Sequence, residues 1–458
     1  MGNMLIQIPE KVNKILTTLH DAGYEACIVG GCVRDSILGR KPEDWDITTK
    51  ALPQEVKALF PRTIDTGMQH GTVTVMMGHG EDREGFEVTT YRIDGEYTDN
   101  RHPDSVTFTT NLREDLRRRD FTINAMAYNE KDGLIDLFGG MEDLRAGVIR
   151  AVGVPKERFE EDALRTMRAV RFAAQLGYRI EDETRAAIRE MAGNLSSISA
   201  ERIQTELNKL IVSDHPEYLK AAYDLGITAV ILPEFDTCMV TSQNSPYHKY
   251  NVGEHILKSM ECIRADKVLR LAMLFHDIGK PACHTVDDNG RDHFYGHARV
   301  SAELVDTVCR RLKYDNETRK KVALLVRHHD DILGDTKVRF RKNIVRICGE
   351  AWDSREIIPD LLEVKEADAL AHHEDWIGER MNRKENNRRM FEEILAEQDP
   401  LQLKDLAVKG GDLIACGFAP GEEIGKALRR MLQDVVEEPA HNTREHLLKK
   451  YANPIEKH

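Results

Sequence analysis

Val12, Ile15, Leu16 and Leu19 recur at helical spacing and predict a helix over 12–22. The pattern then changes to short runs. Strands are predicted over 25–29, 45–48, 71–77 (Val73, Val75 and Met77 on one face), 86–91 and 106–108. The stretch from Arg117 to Ala127 reads as a basic turn entering an apolar helix. Past about residue 150 the strand signals nearly vanish. Helices are predicted over 160–175 and 200–212, and helical patterns continue to the end, broken at Gly, Pro and Asn. The fold class is α+β: a small mixed-sheet head followed by an all-helical remainder.

A chain of 458 residues exceeds one ordinary core and implies two to four domains. No apolar stretch is long enough to span a bilayer, and the first residues lack the features of a signal peptide. Eight scattered Cys show no zinc or redox spacing, as expected of reduced thiols in a cytoplasmic protein. A net charge of −13 argues against a polyanion as ligand. Four local basic clusters argue the other way: Arg117–Arg119; Arg165, Arg168, Arg171 and Arg179; Arg339, Arg341, Lys342 and Arg346; and Arg380, Arg383, Lys384, Arg388 and Arg389.

The strongest chemical pattern begins at residue 28. A predicted strand feeds Gly30-Gly31 and then a helix start, where bare backbone N–H groups can approach a phosphate. Arg34, one turn in, can pair with phosphate oxygens. Asp44 and Asp46, two apart on a predicted strand, present carboxylates to one face and can hold two Mg²⁺ ions. Such a pair suits in-line displacement at phosphorus. Glu87 faces opposite to Phe86 and Val88 and is a candidate third carboxylate. On the helix predicted over 160–175, Asp162, Arg165 and Arg168 share a face. They read either as an internal ion-pair ladder or as fixed donors and acceptors for a base edge.

Taken in order, these residues resemble class II tRNA nucleotidyltransferases, the CCA-adding enzymes, and the related bacterial poly(A) polymerases. The resemblance is close over the first 215 or so residues. Gly30-Gly31, Arg34-Asp35 and Asp44-x-Asp46 match the family's catalytic motif, and Arg117 to Ala125 its ribose motif, with Arg119, Asp120 and Asn124 as nucleotide-binding residues. Asp136 with Gly139-Gly140 match a hinge motif, Glu161-Asp162-x-x-Arg165 the amino-acid template, and Glu201-Arg202 with Glu206 a neck motif. The resemblance implies a polymerase-beta-like head (1–150), a helical neck (151–215), a body (216–375) and a tRNA-binding tail (376–458). It implies CCA addition to tRNA from CTP and ATP with two Mg²⁺ ions in the head, Asp162 and Arg165 choosing the base and Arg168 adding a contact. The loop over 93–103, with Arg101, resembles that of members adding the full CCA. Poly(A) addition, or addition of CC or A alone, is the runner-up.

A second pattern lies mid-chain: His255, His276-Asp277, His297, His328-His329 and Asp368. His and carboxylate ligands from separate helices suit a divalent transition metal. The pattern looks like an HD domain, with His255, His276, Asp277 and Asp368 as metal ligands and His297 and His328 as second-metal or phosphate contacts. The implied chemistry is phosphoester hydrolysis, with cyclic phosphates or damaged tRNA 3′ ends as substrates by analogy. The reading from another class is an HD phosphohydrolase whose head only senses nucleotide.

Overall fold

The computed structural model describes residues 5–95, 106–246 and 249–452. The chain divides into two compact units, Met1–Pro233 and Glu234–His458.

The first unit opens with α1 (Glu10–Asp21), whose buried face is the predicted Val12, Ile15, Leu16 and Leu19. Around it lie β1 (Ala26–Val29), α2 (Gly31–Ile37), β2 (Ile47–Thr49), α3 (Pro53–Leu59), β3 (Thr63–Gly67), β4 (Thr72–Met77) and β5 (Glu84–Thr90). A two-stranded ribbon, β6 (Arg92–Asp94) with β7 (Val106–Phe108), precedes α4 (Leu112–Arg117), and β8 (Met126–Asn129) and β9 (Gly133–Asp136) complete the strands of the main sheet. That sheet has seven strands in the order β3-β4-β5-β2-β1-β8-β9. It is antiparallel except between β2 and β5. Residues 96–103 of the loop over 93–103, Arg101 included, lie outside the described residues.

Three sequence expectations change here. The strand predicted over 45–48 begins only at Ile47, so Asp44 and Asp46 sit on the segment that enters it. Val29 N still donates to Asp46 O (3.0 Å), which fixes Asp46 at the mouth of the sheet. The apolar helix expected after Asp120 is instead a short turn, Thr122–Asn124, running into β8. All four β8 residues are buried, and the strand pairs with β1 on one side and β9 on the other. A short continuous apolar run looks alike in a buried helix and a central strand. The helix predicted over 160–175 is two: α6 (Pro155–Glu161) and α7 (Leu164–Leu176), broken at Asp162 and Ala163. Asp162 is extended (φ −143°, ψ 104°), and its carboxylate accepts from Leu164 N at 3.1 Å. A carboxylate able to cap the next helix competes with continuing the first.

α7 packs against α9 (Ala200–Ile211). Met167, Val170 and Ala174 of α7 and Leu207 and Ile211 of α9 are all buried. Within that packing Arg171 Nε donates to Glu206 Oε2 at 2.7 Å, both side chains about 5–6% exposed.

The second unit is almost entirely helical. Its helices include Val252–Glu261, Lys267–Phe275, His297–Arg311, Asn316–His328 and Ser354–Leu370, and the C-terminal part has its own core around Val408, Leu413, Met431 and Val435.

Removing one partner of a buried ion pair leaves an uncompensated charge and costs about 3–5 kcal/mol. Glu206→Ala is therefore expected to lower the thermal midpoint of the first unit's transition sharply. Glu206→Leu with Arg171→Met recovers at least half of the loss in a calorimetric scan. A midpoint unchanged by the single substitution contradicts this assignment.

Candidate functional site

In the first unit one cavity of about 610 Å³ is lined by Gly30, Gly31, Arg34, Asp44, Asp46, Arg119, Asp120, Asn124 and Arg168. Nearly all the head residues picked out by sequence therefore converge. Gly30 has φ +83°, and a Cβ there would come within 3.0 Å of an Arg119 guanidinium nitrogen and 4.0 Å of Asp46 Oδ2. Only glycine brings the backbone this close to the acidic and basic groups together.

The acidic side is Asp44 and Asp46, both solvent-exposed within the cavity. Crowding by surrounding protein raises the Asp46 pKa, Arg119 opposes this, and Asp44 adds to it. Glu87 behaves likewise: burial raises its pKa, and the charges of Asp46 and Asp44 add to the effect. The register explains why. β2 and β5 run parallel with Ile47 beside Val88, so Asp46 and Glu87, each one residue earlier, are neighbours. Three carboxylates gathered at one edge of the sheet are a donor set suited to hard divalent cations.

The basic side is a continuous chain of bonds. Arg34 clasps Asp35 (2.9 and 2.9 Å) and donates to Asn124 Oδ1 (2.7 Å). Asn124 Nδ2 donates to Asp120 Oδ1 (3.2 Å), and Asp120 Oδ2 takes Nε and Nη2 of Arg168 (2.8 and 2.6 Å). Arg168 reaches Glu206 at 3.5 Å, where Arg171 also ends. Burial alone would raise the Asp120 carboxyl, but Arg168 and Arg165 hold it far below the usual carboxylate range. The Phe172 ring sits among three guanidiniums, those of Arg171 (3.5 Å), Arg34 (5.0 Å) and Arg168 (5.3 Å). Arg119 is different. Its Nε is buried without a hydrogen-bond partner among the described residues, on a side chain that lines the cavity. A buried orphan donor beside an open cavity marks a place for an anionic ligand.

Asp162 and Arg165 do not line that cavity. Nor do their side chains pair with each other; Arg165 N donates to the Asp162 carbonyl at 3.0 Å. Asp162 pairs with Arg202 (2.6 Å), and Arg165 with Glu161 (2.5 Å) and the Arg118 carbonyl (2.9 Å). Asp115, which nothing in the sequence singles out, is fully buried. It accepts from Thr48 Oγ1 (3.0 Å) and Arg118 (2.8 Å), locking the basic turn onto β2. An acidic residue inside a charged run carries no sequence signal of burial. Several arginines of the predicted clusters are likewise engaged internally: Arg118, Arg165, Arg168, Arg171, Arg341 with Asp399 and Arg346 with Asp331.

Among the described residues, three groups of His and carboxylate atoms converge within 4.8 Å, all in the second unit: His255, His276 and Asp368; Asp277, His297 and His329; and Asp434, His441 and His446. The first two meet at Asp277. Its Oδ2 lies 3.3 Å from His276 Nε2 and 3.5 Å from His255 Nε2, and its Oδ1 lies 3.3 Å from His297 and 3.7 Å from His329. His255 Nε2 is also 2.9 Å from Asp368 Oδ1. The predicted His328 is not in this group. It turns to Asp331 at 2.8 Å, and its neighbour His329 takes the place. His372, missed in the sequence, packs edge-on to His255 at 5.0 Å. Both oxygens of Asp277 and the His276 Nε2 are buried and lack hydrogen bonds of normal geometry, although Lys280 Nζ lies 2.6 Å from Oδ2. Burial alone would lower the His276 pKa, yet Asp277 and Asp368 push it up to about 10. The carboxylates thus demand a positive charge at the point where the imidazoles converge. This donor set fits a divalent metal. Gly279 packs so tightly that a Cβ would fall 2.5 Å from Ser301 N and 2.9 Å from His297 O, which fixes the His276-Asp277 turn against the helix bearing His297.

Comparison with known proteins follows this division. Residues 26–150 match the model of the poly A polymerase head domain, 177–239 that of the probable RNA and SrmB- binding site of polymerase A, and 247–373 that of the HD domain. The CCA-adding enzyme of Lactiplantibacillus plantarum is 52% identical over 216 residues, 46% of this chain and 52% of that enzyme. In that alignment and others like it, the chain spans about half the length of the curated relatives it matches. The CCA-adding enzyme of Limosilactobacillus fermentum aligns over 444 residues, 96% of each chain, at 35% identity. The solved structure of the Bacillus stearothermophilus CCA-adding enzyme in complex with CTP is similar over 97% of this chain and 98% of that one, with a TM-score of 0.67 and 29% identity. The Thermotoga maritima CCA-adding enzyme complexed with tRNA shares the fold (97% of this chain and 95% of that one, TM-score 0.59, 20% identity). A relative aligned along almost its whole length, on a fold matched just as fully, places this chain in the family of CCA-adding enzymes.

Proposed function

We propose that this chain adds C, C and A to the 3′ end of tRNA in the cytoplasm, using CTP and ATP and releasing pyrophosphate. The observation that carries the reading is the single cavity where Gly30-Gly31, the carboxylates Asp44 and Asp46, and the orphan donor of Arg119 face one another. In each step the tRNA 3′ oxygen forms a bond to the α-phosphorus, the bond from that phosphorus to the bridging oxygen breaks, and pyrophosphate leaves. Asp44 and Asp46, with Glu87 beside them, would hold two Mg²⁺ ions, which supply charge neutralisation for the attacking and leaving oxygens. The Gly30-Gly31 backbone and Arg34 orient the triphosphate. Arg119, Asp120 and Asn124 hold the ribose.

Asp162 and Arg165 are assigned the choice of base, with Arg168 adding a contact. Their position supports this. Asp162 lies in the break between α6 and α7, Arg165 lies in the first turn of α7, and Arg165 is bonded to the carbonyl of Arg118 in the ribose motif. Reading a base requires Asp162 to exchange Arg202, and Arg165 to exchange Glu161, for the Watson–Crick edge. The domains are proposed as head (1–150), neck (151–215), body (216–375) and tail (376–458), the tail binding tRNA.

A second activity is favoured by the buried Asp277, whose two oxygens face four imidazoles at 3.3–3.7 Å. His255, His276, Asp277 and Asp368 would hold a divalent metal, with His297 and His329 toward a second ion or a phosphate. Such a metal supplies a nucleophilic water, and the reading is hydrolysis of phosphoesters at RNA 3′ ends.

Incubation with tRNA lacking its 3′ end, labelled CTP and ATP, and Mg²⁺ is expected to give a product exactly three nucleotides longer by mass spectrometry. A homopolymeric A tail or no extension overturns the proposal. Asp44→Ala abolishes extension and spares hydrolysis, while Asp277→Ala does the reverse. Loss of both activities in either folded variant defeats the two-site reading. Arg165→Ala is expected to incorporate the wrong nucleotide at least tenfold more often at unchanged Mg²⁺ dependence. Metal content separates the neighbouring histidines: His329→Ala lowers bound Mn²⁺ at pH 7 by elemental analysis, and His328→Ala leaves it unchanged. Because His276 holds a proton at that pH, loading the metal releases protons into weakly buffered solution.

A further inference from the structure

The cavity beside Asp277, about 430 Å³, has a wall that hydrolysis alone does not need. Asp277, Lys280, His297 and His329 form its floor, and Arg291, His293 and Tyr295 form its rim. The rim is a small hairpin, Thr285–Val286 paired with Asp292–His293, that leads through Phe294 and Tyr295 into the helix carrying His297.

Tyr295 is 79% exposed, an unfavourable place for a large ring, yet its setting is built. The ring stacks on His293 with centroids 5.3 Å apart and planes 6° from parallel. Its hydroxyl lies 3.3 Å from His293 Nδ1, and His293 Nε2 is held by Asp287 Oδ2 at 3.0 Å. The hairpin beneath is secured by Asp292. This buried carboxylate takes His284 (2.8 Å), Ser242 (2.8 Å) and the Asn244 N–H (2.6 Å), while Phe294 stacks on His284 at 5.3 Å. The result is a preorganised aromatic face open to solvent, two residues from a metal-group histidine, with Arg291 beside it. Every nucleobase has a π-face that such a surface accepts, and a basic side chain at the same rim suits the attached phosphate.

We propose that Tyr295, backed by His293, is a stacking platform for a nucleobase, so that the second unit's cavity takes a nucleoside phosphate, free or as the last nucleotide of an RNA strand, in preference to a bare phosphoester. The proposal rests on the reading of the Asp277 cluster as a phosphohydrolase centre. Stacking selects for a base without reading its edge, so adenosine and cytidine phosphates are both accepted.

The test uses the full chain loaded with Mn²⁺ and three probes: adenosine 3′-monophosphate, an RNA oligomer ending in a 3′-phosphate, and glycerol 2-phosphate. Tyr295→Ala is expected to raise KM for the nucleotide and the RNA by about 5- to 150-fold, the range set by one stacked base. Its kcat is unchanged, its kcat/KM for glycerol 2-phosphate stays within about twofold, and Tyr295→Phe restores binding. A KM effect on the RNA alone assigns the platform to strand ends, and one on both assigns it to any nucleotide. Equal losses on all three probes, or none on the nucleotides, overturn the proposal. If the unaltered chain hydrolyses no probe, the phosphohydrolase reading fails. Stacking is then read from Tyr295→Trp: quenching of its fluorescence by adenosine 3′-monophosphate beyond that of the unaltered chain supports the platform, and equal quenching rejects it.

Discussion

The first unit depends on one run of charged bonds: Asp35, Arg34, Asn124, Asp120, Arg168, Glu206 and Arg171 in sequence. It crosses from the helix after the double glycine, through the turn before β8, to α7 and then α9. Each member is buried or half-buried, so none can be left unpaired without a desolvation cost. This couples the phosphate-facing groups to the helices behind them. A nucleotide drawing on Arg34 or Asp120 would disturb bonds as far away as Glu206, and the helix bearing Arg165 lies along that route. Under the proposed assignments, the residues that choose the base and those that hold the triphosphate would share one frame.

In the second unit the equivalent constraint is a single residue. Asp277 directs one oxygen to His255 and His276 and the other to His297 and His329. Two ions bound one on each side would have their affinities coupled through the shared carboxylate. Gly279 is the steric condition for that sharing, since it lets the Asp277 turn lie against the backbone of His297.

Much of this was readable in the chain. The glycine pair, Arg34, Asp44 and Asp46 formed a spaced pattern, and the structure gathers them in one cavity. The alternation of Val73, Val75 and Phe86, Val88 gave two of the central strands. What escaped was decided by tertiary contact. β8 continues an apolar run that suits a helix equally well, and only its pairing with β1 and β9 makes it a strand. Asp162 was placed on a helix because nothing in the sequence reveals Arg202, its partner forty residues away. His328 and His329 are adjacent, and only the end of the helix Asn316–His328 determines which ring turns inward. Asp115 and His372 lie in ordinary polar surroundings along the chain and acquire their meaning from burial.

The internal pairing of so many arginines has a bearing on turnover. Where guanidiniums already neutralise carboxylates of their own chain, docking of a polyanion displaces few condensed ions from it, and binding depends only shallowly on ionic strength. A net-acidic surface adds repulsion at distance. Any polyanion that such a surface holds is held by shape and by local hydrogen bonds more than by a field reaching into solvent.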